Sequence, residues 1–547
     1  MFNELPVFKK LVRNADVMNR PENHLKHLLK IKTRFETFSR TGAGLFYDFS
    51  RQRINTDTLN LLFDLAEDRG LKNRFRAMSE GEKANRTENR AALHMSARSF
   101  IDEPVYVDKK NVMPEIMEVR KEIEDFTEKV RSGKICGSEG KPFKSIVVTG
   151  IGGSHLGSEF VSTALAHLAD NNLSIHYLAN VDIHAFGRVI SEIDPERTLW
   201  IIISKSYTTT ETLANEELAR AFMKEQVAEP EKHFAAVTGK GNHKNSHLNS
   251  VTQTFRMFDF IGGRYSVSSA VGCLPLSLYL GYDKFEKFLK GAHEMDRHAI
   301  EAPACENLPL IAALISVWNN DFLGYPAQAI IPYADPLSRL AAHVQQLYME
   351  SNGKSVTEDG TPLTETQAGV MIFGEPGTCA QHSFFQMAHQ GRPFPIDFIG
   401  VAKAWYDQFS HRFKGVTNHE QLWANLIAQP LALAQGTDDT DGSFADNTND
   451  KSKFFPGNRP SSTLVIESLS PENIGRLLAF YEARTIYEGF IWGINPFDQF
   501  GVELGKRGAA DIREKIARGD NDTDPGTQFY LDLVKNAGFA KDKGSHR

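Results

Sequence analysis

Glu350 is the residue best placed to do chemistry, lying in Met349-Glu350-Ser351-Asn352-Gly353-Lys354 directly behind the apolar-periodic segment 340–347. A carboxylate where a helix gives way to a turn is held rigidly and can still face a cleft. With a reference pKa of about 4.3 such a group is ionised at neutral pH, and position and exclusion of water must offset its weak basicity if it is to abstract a proton. Gln346 stands four residues earlier, so the two side chains share one helix face. Taken alone, Asn352-Gly353 is first of all a helix C-cap and Glu350 a solvated acid beside it. Other polar segments of the chain change that balance.

Two of them have the composition of anion sites at the carboxyl ends of strands. Gly150-Ile151-Gly152-Gly153-Ser154 follows a β-branched run and precedes a helix-like one. Its glycines let backbone N–H groups approach an anion, and a helix N-terminus favours negative charge. It lacks the full dinucleotide fingerprint and the Walker pattern, and reads equally as a tight strand-to-helix turn. Ser204-Lys205-Ser206-Tyr207-Thr208-Thr209 sets five hydroxyls beside one ammonium at the same kind of junction. That composition suits a monophosphate pocket, the alternative being an N-cap with extra polar residues.

Gly262-Gly263-Arg264-Tyr265-Ser266 places a permanent cation beside flexible backbone. Arginine cannot act as a base but can stabilise an oxyanion, unless it is an ordinary surface residue in a turn. Gly374-Glu375-Pro376-Gly377-Thr378 opens another turn, and Gln381-His382-Ser383-Phe384 starts the helix behind it, where a histidine is commonly structural. Asp498-Gln499-Phe500-Gly501-Val502-Glu503-Leu504-Gly505-Lys506 carries acids, an amide and a cation at helix-like spacing, and a lysine there is ordinarily a solvated end.

The elements that hold these segments follow from hydrophobic periodicity. Residues 1 to about 110 read as mainly helical, with Leu59, Leu62, Phe63 and Ala66 on one stripe. Ile116, Val119, Ile123, Phe126 and Val130 mark one face of an amphipathic helix. Continuous apolar runs at 145–149, 174–178, 199–203 and 234–237 then alternate with helix-like stretches, and the alternation returns after a break near residue 285 with strands at 329–331, 370–373, 396–399 and 463–466. The helices expected between and after them are 308–323, 336–350, 381–390, 418–434 and 471–489.

Strands apolar throughout and separated by helices imply parallel sheets covered on both faces. We expect an α/β protein with two α/β/α sandwich domains with mainly parallel sheets, a helical N-terminal region and a C-terminal helical arm. A large domain takes 1–112 and 286–520, a small phosphate-binding domain 113–285, and the arm 521–547, where 529–534 is a helix candidate for packing on another element or another subunit. The polar stretch 436–460 reads as an exposed loop.

At 547 residues the chain exceeds what one hydrophobic core usually supports, which agrees with that division. A formal net charge of -7 gives no electrostatic case for a nucleic-acid partner, so an anionic ligand must be held by local donors. Cys136, Cys273, Cys305 and Cys379 are far apart and form no CxxC pair, which indicates neither a zinc site nor a disulfide framework. The first twenty residues lack an apolar signal core, no apolar run reaches the roughly 18 residues of a membrane span, and Gly544-Ser545-His546-Arg547 matches no address signal. A cytoplasmic protein without membrane partner is expected.

The polar segments together resemble one family, glucose-6-phosphate isomerase, also called phosphoglucose isomerase. GIGGS at 150–154, SKSYTT at 204–209, GGRYS at 262–266, MESNGK at 349–354, GEPGT with QHSFFQ at 374–386 and NPFDQFGVELGK at 495–506 occur in the family's order. Thr87-Glu88-Asn89-Arg90 and Gly457-Asn458-Arg459-Pro460 add to the match. The resemblance implies a sugar-isomerase fold and reversible isomerisation of glucose 6-phosphate and fructose 6-phosphate, in glycolysis and gluconeogenesis, with no metal or organic cofactor. Glu350 matches the family's base, His382 and Lys506 its ring-opening residues, and Arg264 the cation that stabilises an enediolate. Gln346 and Gln499 match substrate-contacting amides, and Gly153, Ser154, Ser204, Lys205, Ser206, Tyr207, Thr208 and Thr209 the phosphate and sugar contacts. Glu211 matches a carboxylate that orients His382. A homodimer is implied, with His382 supplied across the subunit interface.

The chain departs from the family pattern at His155, where an acid is usual, and at Ser206, Ser268, Cys379 and Ala380. None of these positions carries a proposed catalytic group. A non-catalytic sugar-phosphate sensor is expected to lack at least one of Glu350, His382, Lys506 and Arg264, and all four are present. Isomerisation of another phosphosugar, such as mannose 6-phosphate, stays open at this stage.

Overall fold

The continuous apolar runs separate into two sheets in the computed structural model, which describes residues 2–101, 103–170, 172–241, 246–364, 366–437, 451–519 and 524–538. The five-stranded sheet runs Ser174–Leu178, Ser145–Thr149, Thr198–Ser204, Phe234–Gly239, Gln253–Met257, and every pairing is parallel. Successive residues of a strand point to opposite faces. Leu199, Ile201 and Ile203 accordingly enter one core, and Trp200 and Ile202 another. Both faces of this sheet are therefore covered, the three-layer arrangement that its unbroken apolar runs required.

The six-stranded sheet runs Ser39–Gly42, Leu45–Asp48, Ser461–Ile466, Ile396–Val401, Ala327–Tyr333, Met371–Phe373. Its last four strands are parallel, while Leu45–Asp48 pairs antiparallel with both neighbours. Here too the faces split: Ile399 and Val401 join the main core, and Ile396 and Phe398 a separate one.

The helix Leu340–Asn352, which carries Glu350, is tied into this sheet by a buried ionic network. Arg484 of the buried helix Pro471–Trp492 donates to Asp397 at 2.6 Å, Glu488 at 2.8 Å and Gln328 at 2.6 Å. Tyr348, two residues before Glu350, donates to the same Glu488. A buried guanidinium with carboxylates on two sides is costly to desolvate but fixes one geometry. Glu350 is thus carried on an anchored helix.

Several expectations need correction. Residues 1 to about 110 are not only helical, because Ser39–Gly42 and Leu45–Asp48 form a hairpin that extends the larger sheet. Gln253–Met257 is a fifth strand of the smaller sheet. The single helix expected at 381–390 is two, Gly377–Gln381 and Phe385–Gln390, so His382 caps the end of the first rather than starting a longer one. The stretch 308–323 is an α-helix over Leu308–Val317 continued by a π turn, Trp318–Phe322. Of the loop expected at 436–460, residues 438–450 lie outside the described residues, as does the 539–547 end of the arm.

The chain divides into two compact units, Met1–Phe497 and Asp498–Arg547. Both sheets belong to the first; the second contains the helices Gly501–Arg518 and Pro525–Asn536. Among the described residues no helix is long and apolar enough to cross a membrane.

Candidate active site

Because Ser145–Thr149 and Thr198–Ser204 are adjacent and parallel, the loops that follow them leave the same edge of the sheet. Gly152–Ser154 forms a single 3-10 turn before the helix Leu156–Ala164. Its backbone presses against a third segment: a Cβ on Gly153 would lie 2.1 Å from the carbonyl carbon of Gly263 and 2.6 Å from the nitrogen of Arg264. Ser266 Oγ clamps the contact by donating to the carbonyls of Gly263 at 2.6 Å and Gly153 at 3.3 Å. Gly153→Ala is therefore expected to wedge the two loops apart, lowering kcat/KM by roughly 10²-fold, as ångström-scale misplacement does. Steady-state kinetics check this; a variant within threefold of the native protein would show that the contact tolerates a methyl group.

The loop Ser204 to Thr209 sorts its hydroxyls by burial. Ser204 is buried, its Oγ accepting the N–H of Tyr207 at 3.1 Å. Tyr207 holds a left-handed backbone with φ 52°, uncommon without glycine. Its hydroxyl secures that turn by donating to both oxygens of buried Glu216, at 2.9 and 2.8 Å, and Arg220 Nε in turn donates to Glu216 at 2.9 Å. Burial and the Glu216 charge push the Tyr207 phenol far above its ordinary range, so it stays a donor.

Ser206 and Thr208 are exposed, with their hydroxyls 2.7 Å apart, and Thr209 is the N-cap of the helix Thr210–Gln226 with no side-chain capping bond. These three, with the helix N-terminus behind them, present the donors an anion needs. Lys205 Nζ donates to the carbonyls of Asp259 at 3.0 Å and Ile261 at 3.1 Å, which ties this loop to the one carrying Arg264. Burial pulls the Lys205 ammonium below the usual lysine range, against the opposing charge of Asp259.

Glu350 lies in the last turn of Leu340–Asn352. Lys354 Nζ caps that helix end, donating to the carbonyls of Glu350 at 2.6 Å and Ser351 at 2.9 Å, where a cation also suits the helix dipole. Each carboxylate oxygen has its own donor: Oε1 accepts from Gln346 Nε2 at 3.2 Å, and Oε2 from Arg264 Nη1 at 3.3 Å. The Glu350 side chain is 29% exposed, while that of Arg264 is 1% exposed. Arg264 is aimed by Nε to Ser351 Oγ at 2.7 Å and Nη2 to the Pro496 carbonyl at 2.9 Å. Tyr265 completes the setting, its hydroxyl 2.9 Å from Ser351 Oγ.

Glu350, Gln346, Arg264 and the Gly152–Ser154 turn are thus brought together, and Lys205 joins the 204–209 loop to them. His382 is exposed at the end of Gly377–Gln381 and shares no side-chain hydrogen bond with that cluster among the described residues. Glu211 is half-buried in the first turn of Thr210–Gln226. Gln499 and Lys506 belong to the second unit, where Lys506 is exposed and pairs with Glu503 at 2.9 Å. The departure at Ser268 is absorbed in the core, where its Oγ accepts from Arg98 Nη1 at 3.1 Å.

Sequence reasoning missed the positioning roles of Ser351, Tyr265, Glu216 and the Pro496 carbonyl. The first two sit inside quoted motifs, and Glu216 with Arg220 at i,i+4 was a readable pair. Pro496 also lies in a quoted motif, but its role rests on a backbone carbonyl, which no side-chain type announces.

The family model for phosphoglucose isomerase matches residues 48–530. Glucose-6-phosphate isomerase of Desulfosudis oleivorans is 56% identical over 546 residues, covering 98% of each chain. The cytosolic glucose-6-phosphate isomerase of Spinacia oleracea is 44% identical over 507 residues, 90% of this chain and 89% of that one. Among solved structures, a glucose-6-phosphate isomerase from Chlamydia trachomatis superposes with a TM-score of 0.87 at 34% identity, covering 98% of this chain and 99% of that one.

Proposed function

The chain belongs to the phosphoglucose isomerase family and isomerises glucose 6-phosphate and fructose 6-phosphate reversibly, and from there we propose how its own residues carry the reaction. The observation that supports the assignment most strongly is the convergence of Glu350 and Arg264 at 3.3 Å, one on a helix of the larger sheet and one on a loop of the smaller.

The phosphate binds at Ser206, Thr208 and Thr209, with Gly153 and Ser154 lining the sugar. His382 and Lys506 open the ring by moving the anomeric hydroxyl proton to the ring oxygen. Histidine suits this role because its reference pKa of about 6.5 allows both protonation states near neutrality. Glu350 then takes the proton from C2 of the open aldose, the electron pair forms the C1–C2 double bond, and the carbonyl oxygen becomes the enediolate oxygen beside Arg264. Return of the proton to C1, with proton transfer between the two oxygens, gives the ketose. Gln346 holds the carboxylate in line, Gln499 contacts the sugar, and Glu211 orients His382.

Nuclear magnetic resonance of the protein with fructose 6-phosphate in deuterated water tests this. Glucose 6-phosphate carrying deuterium at C2 is the expected product. Sugar-phosphate binding without turnover would overturn the assignment.

The protein works as a cytoplasmic homodimer in which His382 completes the partner's site. The exposure of His382 supports this, as do the cytosolic names of the spinach and Arabidopsis thaliana relatives. A mixture of the inactive variants Glu350→Gln and His382→Ala, unfolded and refolded together, should recover about a quarter of native activity, since random pairing makes half the dimers hybrid and each hybrid has one intact site. No recovery would place His382 in its own subunit's site. The domain division at 112/113, 285/286 and 520/521 belongs to the same proposal; the sheets support its first two boundaries, one drawing its strands from 145 to 257, the other from 39 to 48 and 327 to 466.

A further inference from the structure

One ionic cluster near this site has no part in the chemistry above. Glu159 Oε2 accepts from Arg339 Nε at 2.7 Å and lies 2.5 Å from Arg339 Nη2, and His155 Nε2 stands 3.3 Å from the same oxygen. The three residues sit at strategic ends. His155 directly follows the Gly152–Ser154 turn and is the N-cap residue of Leu156–Ala164, the helix that carries Glu159. Arg339 is the N-cap residue of Leu340–Asn352, whose far end presents Gln346 and Glu350.

The same two helices meet again one turn on, where the rings of Phe160 and His343 stack at 5.8 Å and 12°. Burial pushes His343 down to about 4, so that ring is neutral and packs as an apolar group. Across the cleft beside His155, His176 pairs with Glu192 at 3.2 Å and Arg188 lines the wall, while the Tyr177 ring lies against the His155 ring at 5.3 Å, tilted by 58°. Burial alone would raise the Glu159 carboxyl, but the bond and charge of His155, with those of Arg339, hold it below the ordinary carboxylate range.

We infer that Arg339, Glu159 and His155 form a clasp that sets the register between the sugar-lining Gly152–Ser154 turn and the helix bearing Glu350, and act as positioning residues for proton transfer. The inference rests on the assignment of Glu350 as base, of the 152–154 turn to the sugar and of the 204–209 loop to the phosphate. Its physical basis is leverage. A helix transmits a displacement of its first turn to its last, about 16 Å away for eleven residues. An ion pair whose arginine side chain is 40% exposed adds little to stability, so its effect belongs in the relative placement of the two helices. The acid usual at position 155 is absent here, and Glu159, one turn on, supplies a carboxylate on the same face.

Arg339→Ala should lower kcat by about tenfold, as a sub-ångström to ångström misplacement does, while binding of glucitol 6-phosphate, which needs the phosphate site but has no carbonyl to react, stays within twofold. Glu159→Gln should do the same, and the double variant should be no worse than either single one, because both remove one clasp. Arg339→Lys should restore part of kcat. Thermal melting of all variants should stay close to native. A kcat within twofold of native, additive losses, or equal losses in kcat and glucitol 6-phosphate affinity would each overturn the clasp. Its failure leaves native turnover intact, whereas a native protein that does not turn over fructose 6-phosphate removes the underlying assignment and the clasp with it.

Discussion

Glu350→Gln is expected to lower kcat by roughly 10³-fold, within the range that removal of a general base produces. The amide has the shape of the carboxylate, so it can stay beside Gln346 and Arg264, and fold and substrate affinity should change little. It cannot take the proton from carbon. Deuterium incorporation at C2 should vanish together with turnover. Arg264 keeps Ser351 Oγ and the Pro496 carbonyl in the variant, which is why the loss reports on chemistry rather than on collapse of the site. Retention of a tenth of native kcat, with deuterium still entering C2, would move the base elsewhere.

Arg264→Ala should produce the second large effect, a loss of about 10²- to 10³-fold in kcat, comparable to removing one oxyanion donor. It should also cost stability, because Arg264 is 2% exposed and its loss leaves the Pro496 carbonyl with one fewer donor inside the protein. About 2 kcal/mol is the expected scale for such a buried deletion. Two ligands separate the effects. An enediolate mimic, such as a five-carbon phosphorylated hydroxamate, needs the guanidinium and should bind far more weakly to the variant. Glucitol 6-phosphate should bind nearly as before. Arg264→Lys should recover stability but only part of kcat, since an ammonium has no fork to reach Ser351, Pro496 and Glu350 at once. Equal weakening of both ligands would mean that Arg264 acts only in holding the fold.

How much of this was readable in the chain depended on how local the physics was. The parallel strands announced themselves because both faces are buried, so residues such as Trp200 and Ile201 are apolar regardless of which core they enter. Two of the edge strands did not. Ser39–Gly42 and Gln253–Met257 are only partly buried and carry polar residues, so their runs lack the apolar signal and gain strand character from pairing with a neighbouring strand, Leu45–Asp48 and Phe234–Gly239 respectively. The break after Gln381 was also invisible, because Ser383 and Phe384 are compatible with a helix and the turn is set by packing on the strand Ala327–Tyr333, where Gln381 Nε2 meets Tyr333 Oη at 2.7 Å.

The site divides along the same line. Residue types and short spacings made Glu350, Arg264 and the two donor loops candidates, because a carboxylate at a capped helix end, a hydroxyl-rich strand exit and a glycine-flanked arginine are each defined within a few residues; their roles, and that of Gln346, came from the resemblance of the motifs to one family. Which hydroxyls of 204–209 face outward, which cation is spent on carbonyls, and which oxygen of Glu350 meets which donor were settled by the folded contacts, some between segments well apart in sequence: 54 and 56 residues for Lys205 with Asp259 and Ile261, and 86 for Arg264 with Glu350. Burial and direction belong to that long-range assembly: Ser204 and Ser206 are the same residue type two positions apart, yet one is buried under Tyr207 and the other is open to solvent.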